Sequence, residues 1–309
     1  MPYRLKPGEP VPAGILRIVG EEIESAALQL RGQGEPDRDE AIHEARKNVK
    51  KIRGVLRLMQ PELGETYRAE NIRFRDLGRR LSQFRDGGAM LETFDALLEK
   101  YRAELGRRKL GSIRLGLMAR KEQAEQQNNI EDVLRGMAAR LRRSARRVAA
   151  WPLANDGFPA IAPGLEATFR RGRKAMARAG KHPHPENYHE WRKRVKEHWY
   201  HVRLLESYWS GGMEAYEKSL KELETALGED HNLVLLQEKV GAEPAFYGKA
   251  PDIALFTRLI DKYHKELRAQ AFELGGSIYK EKPGQFNRHM RGLWDARQSV
   301  SGRSAGPAA

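Results

Sequence analysis

Apolar residues recur along almost the whole chain at spacings of three and four, and runs that alternate apolar with polar positions are missing. That period is the signature of helices that each bury one face. Ala, Leu, Glu, Lys and Arg dominate, all good helix formers. The pattern predicts helices over about 14–31, 39–59, 65–84, 88–104, 107–127, 130–149, 160–179, 187–209, 213–228, 231–240, 252–274 and 284–298. Glycine and proline punctuate it. Gly32-Gln33-Gly34 with Pro36 closes the first helix, Pro61 closes the second, and Trp151-Pro152 to Pro163 reads as a long central connection. His182-Pro183-His184-Pro185 makes another break. Residues 299–309 are small and polar and read as a disordered tail. The expected fold class is all-α.

The two sides of the central connection resemble each other. His43-Glu44-Ala45-Arg46-Lys47-Asn48-Val49-Lys50 aligns with His189-Glu190-Trp191-Arg192-Lys193-Arg194-Val195-Lys196, a constant offset of 146 residues. At that offset eight of the sixteen positions from 43 to 58 are identical, and Leu77 meets Leu223 while Leu81 meets Leu227. A shared apolar pattern alone could arise by chance in two long helices, but shared polar residues argue for an internal duplication. The expectation is two pseudo-symmetric bundle lobes, 1–155 and 156–298, followed by the tail.

Within each repeat one helix carries two opposed stripes at 100° per residue. Ala45, Val49, Ile52, Leu56 and Met59 form a core stripe, and Trp191, Val195, His198, Val202 and Leu205 form its counterpart. On the other side His43, Arg46, Lys47, Lys50, Arg53 and Arg57 converge, mirrored by His189, Arg192, Lys193, Lys196 and Arg203. An ordinary solvated face mixes Glu with Lys one turn apart, because like charges at that spacing cost about 0.2–0.5 kcal/mol per pair. Stacking Arg46 on Lys50, Lys50 on Arg53 and Arg53 on Arg57 defies that economy, and it points to a surface that must stay positive. Arg68, Arg73, Arg75, Arg79, Arg80 and Arg85 on the next helix add cations, thinning in the second half to Lys218 and Lys221, with Lys221 equivalent to Arg75. Arg140, Arg142, Arg143, Arg146 and Arg147 lie on all sides of their helix and read as general field.

Charge and composition sharpen the picture. Lys and Arg number 56 against 42 Asp and Glu, a formal net charge of +14 that implies an anionic partner. Cysteine is absent, which excludes disulfides, thiolate catalysis and Cys-based zinc sites. Charged residues interrupt every apolar stretch, and the first residues lack the apolar segment of a signal peptide, so a cytoplasmic protein without a membrane span is expected. No phosphate-cradling glycine loop occurs, and the string from His43 lacks the second His of a zinc-protease motif because Lys47 stands there. His198 and His201 could share a metal, but no carboxylate is placed beside them. The expectation is a binding protein with no catalytic residues, metal or cofactor.

The doubled His-Glu-x-Arg-Lys-x-Val-Lys pattern, each copy opening a long amphipathic helix, resembles the CHAD family (conserved histidine α-helical domain) over about residues 14–297. The resemblance implies a helical protein of two related bundles that binds inorganic polyphosphate through a basic central surface, in some members on polyphosphate granules. It implicates His43, Arg46, Lys47, Lys50 and Arg57 with His189, Arg192, Lys193, Lys196 and Arg203. Asp86 and Asn232 match a position expected to cap or orient helices. The second half has lost cations that the first keeps, with Trp199 at the place of Arg53 and Glu197 at that of Lys51, so a lopsided grip is expected. A nucleic-acid backbone is the alternative partner, although the stripe offers few stacking aromatics and no Asn or Gln for base edges.

Overall fold

The computed structural model describes residues 3–34, 37–84, 86–106, 110–126, 130–208 and 213–303, and no strand occurs among them. The fold is all-α. Its long helices are α1 (Val11–Gln29), α2 (Arg38–Leu58), then α4 (Glu65–Ser82) after the short α3 (Gln60–Leu63), and α5 (Asp86–Lys100). The short α6 (Arg102–Leu105) leads to α7 (Gly111–Gln126) and α8 (Ile130–Val148). The second half holds α9 (Gly157–Lys181), α10 (Pro185–Leu204), α11 (Met213–Ala242), the short α12 (Pro244–Tyr247), α13 (Ala250–Ile278) and α14 (Pro283–Arg303). None of the helices searched is long and apolar enough to cross a membrane.

Cap chemistry sets the starts of the paired helices. The Asp37 carboxylate accepts from the amides of Asp39 at 2.7 Å and Glu40 at 3.3 Å, with both acids in the favourable first turn of α2. Pro185 opens α10 at a position where its missing N–H costs nothing. Asp156 serves two helices at once: its Oδ1 accepts from Gly157 N at 2.7 Å and from Val11 N at 2.6 Å, tying the starts of α9 and α1 together.

Packing partners recur between the halves. α1 lies on α2 and α8, as α9 lies on α10 and α14; α2 lies on α4 as α10 lies on α11; α5 lies on α7 as α11 lies on α13. α2 and α10 also meet each other, and there Gly54 faces Tyr200, its own equivalent at the 146-residue offset. A Cβ on Gly54 would stand 3.1 Å from that of Tyr200, and His201 Nε2 reaches the Gly54 carbonyl at 2.9 Å. Both predicted core stripes, including His198, are buried. The main core draws on α1, α2, α4 and α8 together with α9, α10, α14 and the start of α11. A second core joins α5 and α7 to α12, α13 and the later part of α11. Each core therefore takes residues from both sides of residue 155.

Three expectations fail. Pro163 lies inside α9 instead of ending a connection. The backbone hydrogen bond it removes is offset by the burial of Phe158, Ile161 and Leu165, and by Gly164, where any Cβ would collide with the Leu58 carbonyl oxygen of α2 at 1.8 Å. Glu229 and Asp230, which fall in the gap expected between helices 213–228 and 231–240, do not interrupt α11. Asp230 is buried and accepts from His264 Nδ1 at 2.7 Å and Arg268 Nε at 2.8 Å, while Tyr263 donates to Glu229 at 2.5 Å, so α13 satisfies both acids in mid-helix. Asn232 accordingly sits within α11, away from either of its ends. α14 runs on to Arg303, past the point where the tail was expected to begin.

Candidate anion-binding cleft

α2 packs against both α4 and α10. Where the three meet, a cleft of about 290 Å³ is lined by Arg46, Val49, Lys50 and Arg53 from α2, Arg75, Gly78, Arg79 and Ser82 from α4, and His189 and Lys193 from α10. Six of these ten carry a positive charge and none is a carboxylate. Val49 belongs to the core stripe and forms the floor.

The electrostatics are those of a site waiting for an anion. Burial, and then the cations Lys196, Arg46 and Arg192, push the Lys50 ammonium down to about 7. Burial, and then Arg57, bring the Arg53 guanidinium down to about 10. Arg53 is steadied by Asn71, whose Oδ1 accepts from its Nε at 3.2 Å. Burial, and then Lys193 and Arg192, hold His189 near 4, so its imidazole is neutral at physiological pH. Its ring lies against that of His231, the centroids 4.0 Å apart and the planes tilted by 34°, and His231 is likewise depressed to about 4 by burial and by His189. Two lining cations have carboxylate partners outside the cleft: Arg75 pairs with Asp76 at 2.9 Å and Lys193 with Glu190 at 2.9 Å.

The structure thus gathers Arg46, Lys50, Arg53, Arg75, Arg79, His189 and Lys193 at one place. Arg192 and Lys196 lie behind Lys50 and press on its charge. Lys47 and His43 lie outside the cleft lining; Lys47 pairs with Glu44 at 2.7 Å, the counterpart of Lys193 with Glu190. Arg57 is turned into the helix interface, where its Nε meets Glu197 of α10 at 2.9 Å, and Arg203 lies over the Trp199 ring beside Glu217. Arg85 lies outside the described residues, as does the side chain of Asp86.

The second half does not reproduce this cleft. Lys196 Nζ donates to Glu224 Oε1 at 2.7 Å, and Lys221 Nζ donates to Glu224 Oε2 at 2.8 Å. Burial alone would raise the Glu224 carboxyl, yet the two lysines hold it down to about 2. At the 146-residue offset Glu224 corresponds to Gly78, Thr225 to Arg79 and Trp199 to Arg53. The second half has therefore traded two arginines for neutral groups and filled the gap with an acid. Sequence reasoning foresaw the Trp199 exchange and missed the other two, although the offset alone exposes them.

Elsewhere, the Nε2 atoms of His198 and His201 each have a protein neighbour. His201 is tied to Gly54, and His198 sits among Phe169, Tyr279 and Phe286 with its Nε2 3.3 Å from the Tyr216 hydroxyl. Glu40, His43 and Glu44 bring ligand atoms within 4.8 Å of one another at the first turns of α2, but Lys47 already engages Glu44.

Chemically, the cleft can do one thing well. Guanidinium forks and mobile ammonium groups spaced one helical turn apart suit a ligand that repeats anionic oxygens along its length. A family model described as CHAD domain matches residues 21–241. The crystal structure of the CHAD domain from the plant Ricinus communis superposes with a TM-score of 0.53 at 20% sequence identity, covering 91% of this chain and 96% of that one. No curated protein matches the chain.

Proposed function

As a member of the CHAD family, to which the match over residues 21–241 assigns it, the chain is one that we propose binds inorganic polyphosphate without turning it over, in the cleft between α2 and α4. One observation carries the reading: six cations and no carboxylate line a single cleft, to which α2, α4 and α10 all contribute. Polyphosphate repeats its charge along a flexible chain and presents no base edges to read, which matches a lining dominated by Arg and Lys, without Asn, Gln, Phe, Tyr or Trp. The absence of acidic groups from the lining also supports binding without hydrolysis, since metal-assisted attack on phosphate needs carboxylates to hold the ions. The proposal places the protein in the cytoplasm and, following the resemblance, on polyphosphate granules.

A competition at fixed ionic strength tests it. Long-chain polyphosphate, duplex DNA and single-stranded RNA of matched charge are titrated against the protein at about 150 mM salt, because all such binding weakens as salt rises. Preference for polyphosphate is the expected result. Equal or tighter binding of nucleic acid would replace this reading with that of a nucleic-acid binder, and protein-dependent release of orthophosphate with Mg²⁺ would make it a hydrolase.

A further inference from the structure

α4 carries two arginine faces. Arg75 and Arg79 look into the cleft just described; Arg73 and Arg80 lie roughly 120° further round the helix and look towards α8. There a second cleft, of about 390 Å³, is lined by Arg73, Arg80, Arg140, Arg143 and Arg147, with Asp76, Ile72, Leu77 and Ser144. We propose that this α4–α8 cleft is a second binding site for condensed phosphate, separate from the first, so that one long chain can be held on two sides of α4.

The arginines are arranged rather than scattered. Glu70 is only 2% exposed, and its Oε1 takes Arg73 Nη1 at 2.5 Å and Arg147 Nε at 3.1 Å, fixing one arginine from each wall of the cleft. Its second oxygen, Oε2, is buried with no hydrogen-bond partner, so Glu70 acts as a brace inside the protein and not as a counter-charge at the mouth. The remaining three, Arg80, Arg140 and Arg143, make no ion pair among the described residues. Asp76, the acid in the lining, is paired with Arg75 at 2.9 Å. The sequence offered no clear signal here, because Arg140, Arg142, Arg143, Arg146 and Arg147 surround α8. Packing divides them: Leu141, Ser144 and Val148 turn inward, and that places Arg140, Arg143 and Arg147 along the edge facing α4. Five guanidiniums without a free acid suit tetrahedral oxyanions linked in series, each able to accept a two-pronged contact.

The inference rests on the polyphosphate reading for its ligand but not for its site. Tripolyphosphate, too short to span both clefts around α4, is titrated calorimetrically into the wild type, into K50A/R79A and into R140A/R143A at about 150 mM salt. The expected result is two sites in the wild type, with each double variant losing a different one, and at least a tenfold weaker grip on long-chain polyphosphate in R140A/R143A. If K50A/R79A keeps a site that R140A/R143A lacks, while the wild type shows one site only, the second cleft stands and the first reading falls. Unchanged stoichiometry and affinity in R140A/R143A overturns the proposal, as does a wild type that binds no tripolyphosphate.

Discussion

Lys196 donates to Glu224 at 2.7 Å, and the residue that corresponds to Glu224 in the first half is Gly78. The helices therefore present a cleft lined by cations and no carboxylate in one half and two lysines bridged by a buried acid in the other. The Glu224 carboxylate, bridged by Lys196 and Lys221, occupies the place that a phosphate takes in the proposed mode of binding.

Replacing Glu224 by Gln should strengthen polyphosphate binding while weakening the fold. Removing the acid frees Lys196 and Lys221 for the ligand, a gain on the order of 3- to 10-fold in Kd, since charge-assisted contacts are worth about 1.5–3 kcal/mol less what desolvation returns. The same change leaves Lys196 half-buried without its partner, and the unfolding midpoint should fall. Affinity and stability moving together in E224Q would refute the counter-charge role.

Lys50 makes the two properties respond oppositely to pH. Its ammonium is depressed to about 7 in the free protein, and a bound polyanion favours the charged form. Binding near pH 7 should therefore take up about half a proton from this group, and affinity should decline as pH rises from 7 towards 9. Stability of the free protein should go the other way. Below about 7 the folded state bears the cost of a buried charge that the unfolded chain does not; as pH climbs from 7 towards the ordinary lysine value that cost is relieved, because the unfolded chain then holds more protons. Calorimetry in buffers of different ionisation enthalpy measures the uptake, and K50R, which cannot lose its proton, should abolish it.

Charge removal within the first cleft should have a distinctive salt signature. K50A/R79A is expected to weaken long-chain polyphosphate by about 10- to 100-fold and to lower the slope of log K against log salt by about 1.4, near 0.7 per lost contact. Arg142 is the control, an exposed residue held by Glu24 at 3.0 Å on neither cleft wall. R142A should change affinity less than twofold. Equal losses in the two variants would mean that diffuse charge governs binding.

Arg57 stood in the predicted stripe, yet the structure makes it a clamp. Its Nε lies 2.9 Å from Glu197, which is 5% exposed and sits across the α2–α10 interface. R57A should cost about 1–3 kcal/mol of stability, tempered because Arg194 also reaches Glu197 at 3.0 Å, and should leave polyphosphate affinity within about threefold. Denaturant unfolding and the binding titration, run on the same preparation, separate the two roles.

The helical period made the fold class legible, and the offset between His43 and His189 located α2 to within one residue at either end and the start of α10 to within two, although α10 ends at Leu204 and not at 209. The breaks were harder to read because tertiary partners overrode local rules. Asp230 looks like a helix end until His264 and Arg268 arrive from α13, and Pro163 looks like a stop until Gly164 seats against Leu58. Among the charges, a one-dimensional stripe cannot say which cations have found acids. Arg53 and Arg57 are adjacent turns of one stripe, but the first meets an amide and lines the cleft whereas the second meets a buried carboxylate on another helix. Nor can it say which flank of α4 or α8 an arginine faces, because that depends on the neighbour.

Asp156 has a consequence for how such a protein can change over generations. A single carboxylate seats the first residue of α1 and the first residue of α9, and both cores are filled from both halves of the chain. Loss of either half would strip side chains from both cores, so the halves stand or fall together. In the proposed mode of binding most of the cations come from the first half, and the second can carry an acid such as Glu224 where the first has Gly78. Shared support leaves the two halves room to differ in what they hold.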